Sequence, residues 1–222
     1  MIKRYDTTEV EYVPSPSSVV TPREAVLKPG SIGEYIAYGI SQLGSPPVFG
    51  LMGLALIATS LTFSQVWYWL GLYLLLGLFT PMGFIVWQLR RGQITDLDIH
   101  VRGQRKKSML VTIASFTAIW VAMLLGRAPA ILTLLAGIGA IQWIIIFAIT
   151  LRWKISVHSA SATGVTLLIL HVFGLSAVPL VVSLPLVAWS RVKLRHHTPA
   201  QTIAGTALGT AVFLIAVLVS PG

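Results

Sequence analysis

Residues 129–151, PAILTLLAGIGAIQWIIIFAITL, form an apolar run without Asp, Glu, Lys or Arg. A helix needs roughly 20 such residues to cross the ~30 Å hydrocarbon core of a bilayer. Comparable runs lie near 47–63, 66–88, 109–126, 157–174, 177–189 and 202–220. The run 177–189 is short and contains Pro179 and Pro185, so it is either kinked or buried among its neighbours. The pattern predicts an all-α, polytopic membrane bundle of about six or seven transmembrane helices.

Composition places the whole chain in the same class. Of 222 residues, 55% are hydrophobic and 10% are charged, whereas soluble domains are nearer a quarter charged. Mean hydropathy is +0.80. The chain has no cysteine, which excludes disulfides and thiolate metal ligands. The N-terminus is polar and carries no apparent signal peptide.

The net charge of +9 is distributed unevenly along the chain. With seven crossings, the N-terminal tail and the loops 89–108, 152–156 and 190–201 share one side, and Arg127 is the one Lys or Arg on the other. This asymmetry predicts a cytoplasmic N-terminus in a prokaryotic inner or plasma membrane. A nucleic-acid partner is not expected, because the basic residues are split among short loops without aromatic platforms.

The chain divides into a cytoplasmic tail, 1–46, and a membrane bundle, 47–222. Residues 1–30 are polar and aperiodic, which predicts extended or disordered chain. Ser31 and Glu34 have capping-box spacing, and apolar residues then recur at helical spacing. We expect an amphipathic helix near 31–43, either lying in the cytoplasmic interface or packed on the bundle.

Two intramembrane features have structural interpretations. Gly205-x-x-x-Gly209 in the last predicted helix is typical of close helix packing. His171 lies within an apolar run, where a histidine is more often an interhelical hydrogen-bonding group than a ligand for a cofactor. We therefore expect no metal site and no cofactor in the bundle.

The acidic residues end early. Residues 99–222 contain no Asp or Glu. Ion pathways built on intramembrane carboxylates, two-carboxylate hydrolases and carboxylate metal cages are therefore excluded from the bundle. The loops instead offer His, Arg, Lys, Ser and Gln, a set that suits an anion and phosphate in particular.

The loop 190–201 has the most specific pattern. Thr198 is suited to cap a helix, Pro199 to its first position, and Gln201 to its third. His197 then precedes the cap at the positive end of the helix dipole, which favours a neutral imidazole. A neutral imidazole is what a nucleophilic histidine requires. The alternative is a solvated histidine pair, with Gln201 only completing a capping box.

Three segments resemble the signatures of the type 2 phosphatidic acid phosphatase superfamily. Segment 190–197, SRVKLRHH, resembles the third signature, Ser-Arg, five residues, His. Segment 155–158, ISVH, resembles the second, Pro-Ser-Gly-His. Segment 98–106, DIHVRGQRK, resembles the first, Lys, six residues, Arg-Pro. Order, spacing and sidedness agree, and the resemblance implies the helical fold shared by these phosphatases and chloroperoxidases.

The resemblance also implies roles for individual residues. His197 would attack phosphorus and become a phosphohistidine, and His158 would protonate the leaving oxygen, without a metal. The implied phosphate-binding residues are Arg191, Arg105, Ser156 and Ser190. Gln201 stands where the family has an Asp that orients the nucleophile, and Asp98 stands where it has a Lys.

Two functions from different classes follow. The first is a phosphatase that acts on a lipid phosphate or polyprenyl diphosphate from the cytoplasmic face. The second is a catalytically degenerate relative that serves as a structural or lipid-binding subunit of a membrane complex. Membrane lipids are the expected partners of both, joined by a phosphorylated lipid substrate in the first and by other membrane subunits in the second.

Overall fold

The computed structural model describes residues 30–61, 66–99 and 101–219, and these residues form helices and no strand. Residues 1–30 were predicted to be extended or disordered, and residues 1–29 lie outside the described chain. The α-helices are α1 Ile32–Leu43, α2 Pro46–Thr59, α3 Val66–Tyr73, α4 Thr80–Arg90, α5 Arg105–Leu125, α6 Ala130–Thr150, α7 Val157–Phe173, α8 Ser183–Lys193 and α9 Pro199–Val219.

Five helical runs in the described chain are long and apolar enough to cross a membrane. They are Val66–Arg90, Arg102–Leu125, Ala130–Thr150, Val157–Lys193 and Pro199–Leu218. A sixth is obtained if α1 and α2, which are bent by 48° relative to each other, are taken as one broken span. About six or seven transmembrane helices were predicted, and five or six runs qualify by length and composition. The count is lower because short apolar runs belong to longer helical runs: 47–63 follows α1, and 177–189 lies in the same run as α7.

The longest run, Val157–Lys193, doubles back on itself. Gly174 ends α7 with φ 61° and ψ −143°, a conformation that is strained for residues with a side chain. A 3-10 helix, Gly174–Val182, then leads into α8, which packs against α7. As a result, the start of α7 and the end of α8 lie near each other.

The run Val66–Arg90 contains a π-helical segment, Leu74–Phe79, between α3 and α4. Pro81 follows it and cannot donate a backbone hydrogen bond, so the preceding carbonyls need other partners. The Leu75 carbonyl accepts from both the backbone N–H and the hydroxyl of Thr80, the latter at 2.8 Å. Wide turns of this kind are frequent where a helix borders a cavity or a functional site.

Helix α1 begins as its sequence predicts. The Ser31 hydroxyl accepts from the Glu34 backbone N–H, and the Glu34 carboxylate accepts from that of Gly30 at 2.7 Å. The helix packs against α8 through Ala37 and Ser41, while Ile32 is 81% exposed. Small residues therefore face the bundle and the large apolar ones face outward. Placement of this outer face in the membrane interface stays a prediction.

Helices α7 and α9 pack with their backbones in contact. A Cβ atom on Gly205 would lie 2.5 Å from the Ser156 carbonyl oxygen, and one on Gly209 would lie 2.4 Å from that of Ala160. Only glycine fits at either position, because a backbone oxygen cannot move aside as a side chain can. The close packing predicted from Gly205-x-x-x-Gly209 is confirmed.

Helix α5 begins at Arg105, four residues before the predicted start at 109. The charged residues Arg105, Lys106 and Lys107 interrupt the apolar run, so hydropathy places the boundary too late. A 3-10 turn, Arg102–Gln104, leads directly into the helix. Arg105 is consequently a buried residue of the first helical turn and not part of a solvated loop.

We expect Gly209→Ala to lower the melting temperature in detergent by an amount equivalent to about 1–3 kcal/mol, because the added methyl group must push α7 away from α9. Gly71→Ala in α3 is the matched control, since a Cβ there meets nothing within 4 Å. Equal melting temperatures for the two variants would contradict the role assigned to the α7–α9 contact.

Candidate functional site

Three loops meet at one end of the bundle, as the sequence predicts. An Arg102 guanidinium nitrogen donates to the Arg152 carbonyl, which joins the loop before α5 to the loop before α7. The Lys154 ammonium donates to the His196 carbonyl at 2.7 Å, which joins the second loop to the third. Contacts between backbone oxygens and long cationic side chains therefore hold the loops together.

His197 lies just before α9 and is positioned by the capping box of that helix. The Thr198 hydroxyl accepts from the Gln201 backbone N–H, and Gln201 Oε1 accepts from the Thr198 backbone N–H, both at 3.3 Å. The same Oε1 atom lies 2.9 Å from His197 Nδ1. The backbone donor identifies this atom as the amide oxygen, so Nδ1 must carry the proton. The Nε2 lone pair of His197 is then available for chemistry.

The imidazole of His197 is kept neutral. Burial, followed by the positive charges of Arg105 and Lys154, lowers its pKa to about 3, against the smaller opposing effect of the hydrogen bond that His197 donates to Gln201. The ring is therefore unprotonated at neutral pH. This agrees with the neutral state predicted from its place at a helix N-terminus, although here burial is the main cause.

His158 lies in the first turn of α7 and is buried. Ser156 caps this helix by accepting from the Ser159 backbone N–H at 3.3 Å. His158 Nε2 has no hydrogen-bond partner among the described residues. A buried ring nitrogen without a partner costs free energy. Such a cost is tolerated most readily where a ligand supplies the missing partner.

His158 and His197 line the same cavity, which has a volume of about 310 Å³. Arg105 and Asp98 also contribute to the wall at this end. The rest of the cavity extends between α2, α4, α5, α6 and α7 and is mainly apolar. The two predicted catalytic histidines are thus brought together at the polar end of an otherwise hydrocarbon-like space.

Four predicted site residues, Arg191, Ser156, Ser190 and Gln201, are absent from the described wall of this cavity. The Ser190 hydroxyl donates to the Val187 carbonyl at 2.8 Å, one turn back along α8. The Ser156 hydroxyl accepts from the Ser159 backbone N–H at the start of α7. The Ser156 backbone N–H donates to the Gln201 carbonyl at 3.2 Å. Both hydroxyls thus take part in hydrogen bonds at helix ends, and their binding of phosphate stays a prediction. Gln201 instead acts through His197.

Arg191 is 1% exposed and is paired with an anion of the protein itself. Its Nη1 lies 2.9 Å from Asp98 Oδ2 and 2.6 Å from the Ser41 hydroxyl. A buried guanidinium requires a counter-charge, and the last carboxylate in the chain supplies it. Sequence patterns did not reveal the contribution of Ser41, because α1 is far from Arg191 along the chain and its register against α8 depends on packing.

Two further cations adjoin the histidines. Arg105 Nε donates to the Ile99 carbonyl at 2.7 Å, and Ile99 adopts a positive φ of 47° that exposes this oxygen to the helix start. Lys154 is half-buried, and burial followed by the charges of Arg105 and Arg191 lowers its pKa to about 8. Both side chains are positively charged at neutral pH, so this end of the cavity favours an anion. Lys154 matches no residue of the three family signatures. The sequence nevertheless shows it as a basic residue two positions before Ser156, which caps α7.

Within the described parts of the chain, no group of three His, Asp or Glu residues could hold a metal ion. Compared with protein-family models, curated proteins and solved structures, the chain shows no significant match. The resemblance to the type 2 phosphatidic acid phosphatases therefore rests on the three sequence segments alone.

We expect Asp98→Ala to lower the melting temperature in detergent by an amount equivalent to about 2 kcal/mol or more, because it leaves Arg191 buried without a counter-charge. Added inorganic phosphate should stabilise this variant more than the original protein, since an anion can then take the vacated position. Leu97→Ala in the same loop is the matched control. Equal stabilisation of all three proteins by phosphate would contradict an anion position at Arg191.

Proposed function

We propose that this protein is an integral membrane phosphatase that removes phosphate from a lipid phosphate or diphosphate through a phosphohistidine at His197. The observation that carries the proposal is the arrangement of His197. Its Nδ1 is hydrogen-bonded to an amide oxygen whose orientation is set by the Thr198 backbone, and its ring lines a cavity shared with His158 and Arg105. A neutral imidazole held in one tautomer beside cations is suited to attack a phosphoryl group.

The proposed reaction has two steps. In the first, the Nε2 lone pair of His197 forms a bond to phosphorus, the bond from phosphorus to the lipid oxygen breaks, and His158, which has to take up a proton from solvent beforehand, gives that proton to the lipid oxygen. In the second, water attacks the phosphohistidine, His158 takes the proton, and the nitrogen–phosphorus bond breaks to release inorganic phosphate. Atoms and charge balance over both steps, and His197 and His158 return to their starting states.

Charge neutralisation supports both steps. Arg105 and Lys154 lie close enough to His197 to affect its protonation, so they also lie close to a phosphoryl group bound there. Fixed cations in a site that excludes water stabilise the charge on the phosphoryl oxygens more strongly than cations in solution. The predominantly apolar remainder of the cavity fits a substrate with a hydrocarbon tail. Positive charge around the site supports placement at the cytoplasmic face.

The second candidate is a degenerate relative that binds lipids or other membrane subunits. Two observations favour it. Gln201 supplies no negative charge to the imidazolium-like ring that forms during attack, whereas the Asp of the family would. Asp98 also occupies the guanidinium of Arg191, which the resemblance assigns to phosphate. The phosphatase is preferred because the amide oxygen of Gln201 retains the tautomer that the Asp would enforce.

The decisive measurement is phosphate release by the purified protein in detergent with chelator present. The substrates are farnesyl diphosphate, undecaprenyl diphosphate and phosphatidate. We expect release by the original protein, a loss of about 10³-fold or more in His197→Ala and His158→Ala, and no change in His171→Ala. His171 is a matched control because it lies on α7 outside the described cavity wall and is exposed.

Trapping identifies the intermediate directly. Brief reaction with a labelled phosphate ester should label the protein at a site that is labile to acid, stable to base and lost in His197→Ala. Release that persists unchanged in His197→Ala, or no release above buffer, would favour the second candidate. The next step would then be to identify proteins that co-purify from the native membrane.

We expect Gln201→Glu to raise kcat by about tenfold or more, because a carboxylate of the same length keeps the hydrogen bond to His197 Nδ1 and adds the missing charge. The added charge raises the pKa of His197 from about 3. Attack needs the unprotonated ring, so activity of the variant should fall at higher pH on acidification than activity of the original protein. Gln42→Glu is the control for an added carboxylate nearby, and the pH profile of kcat/KM is the measurement.

A further inference from the structure

The cavity that begins at His158 and His197 continues deep into the bundle. On α7 its wall runs from His158 to Leu168, and on α5 from Arg105 to Phe116. At 1.5 Å per helical residue, both distances are roughly 15 Å. This is about half of the ~30 Å hydrocarbon core, or the depth of one leaflet. The wall therefore reaches a similar depth on both helices.

Two aromatic rings form part of that deep end. Tyr73 and Phe116 both line the cavity and meet edge to face, with ring centroids 5.8 Å apart and an interplanar angle of 89°. Tyr73 is buried. Edge-to-face pairs are favourable and oriented, so they close a space more reproducibly than aliphatic chains do.

Each ring rests against a glycine. A Cβ atom on Gly77 would lie 3.3 Å from the Tyr73 ring, and one on Gly139 would lie 2.4 Å from the Phe116 ring. Gly77 belongs to the π-helical segment Leu74–Phe79, so the Tyr73 ring packs against a residue of the wide turn. Glycine at these two positions lets both rings lie against neighbouring helix backbones. The rings are therefore held by close packing against two glycines that also line the cavity.

We propose that Tyr73 and Phe116 form a floor that measures the hydrocarbon chain of the substrate. This inference rests on the proposed function and adds to it the substrate class, a phosphorylated lipid that inserts one chain of about leaflet depth below its phosphate. The walls between the histidines and the floor are mainly apolar and suit a hydrocarbon chain. Apolar wall residues include Leu54, Leu78, Ile138 and Leu168.

Chain-length selectivity tests the floor. Diphosphates with two, three, four and five isoprene units are compared by kcat/KM in detergent. The original protein should show an optimum and a decline beyond it. Tyr73→Ala should move the optimum to a longer chain, with about a tenfold gain in the ratio of long-chain to short-chain kcat/KM, and Leu168→Phe should move it to a shorter one. Tyr35→Ala is the control, because Tyr35 is exposed on α1.

Phe116→Leu is a milder second variant in case Tyr73→Ala does not fold, and it should shift the optimum in the same direction. A folded Tyr73→Ala or Phe116→Leu with an unchanged chain-length profile would overturn the floor. The floor is supported if the optimal chain length rises in Tyr73→Ala or Phe116→Leu, which enlarge the cavity, and falls in Leu168→Phe, which fills it. General destabilisation would lower activity on all chain lengths alike.

A photoreactive probe separates failure of the floor from failure of the proposed function. The probe is a non-hydrolysable alkyl phosphonate with a diazirine at the end of its chain. Cross-links near Tyr73 and Phe116 that are lost in Tyr73→Ala, without turnover of any substrate, support the floor and refute the phosphatase. Turnover together with cross-links elsewhere refutes the floor and leaves the phosphatase standing. The absence of both turnover and cross-links refutes the floor and the phosphatase together.

Discussion

The backbone contact between α7 and α9 is the constraint on which the site depends. Because Gly205 and Gly209 have no side chain, the two helices approach until carbonyl oxygens of α7 lie where Cβ atoms would be. The starts of both helices are then adjacent, and the Ser156 backbone N–H donates to the Gln201 carbonyl at 3.2 Å. His158 and His197, each near one of these helix starts, face one cavity as a direct result. In a bilayer, where apolar surface gains little from burial, such close packing is a main source of helix association.

Charge is the second constraint. The site gathers Arg105, Lys154 and Arg191 in a partly buried position, and the described carboxylate that pairs with Arg191 is Asp98. Burying like charges together is unfavourable unless an anion accompanies them. Asp98 therefore gives the site an internal counter-ion in the absence of a bound phosphate. The same pairing limits the ability of Arg191 to bind a phosphate. The state of the Asp98–Arg191 pair is therefore one point on which the enzyme and its degenerate alternative differ.

Local signals in the sequence were accurate where hydrogen bonds between near neighbours decide the outcome. The caps at Ser31 and Thr198 form as their spacing predicts, and α6 lies within one residue of the apolar run that defined it. Errors arose where tertiary contacts decide. Hydropathy placed the start of α5 after Arg105 because it scores a buried, hydrogen-bonded arginine as a loop residue. Periodicity predicted an amphipathic α1 but not which of its faces meets the bundle, which is the face with Ala37 and Ser41.

The sequence by itself determined the helical membrane class, the capped starts of α1 and α9 and the meeting of three basic loops, because these follow from hydropathy, local hydrogen bonds and charge. Only the tertiary structure decided that Ser156 and Ser190 serve helix ends, that Asp98 and Ser41 bind Arg191, and that an apolar cavity reaches from the histidines to Tyr73 and Phe116. These features join residues from distant helices. Their relative register follows from the close packing of whole surfaces, which a pattern along one segment does not record.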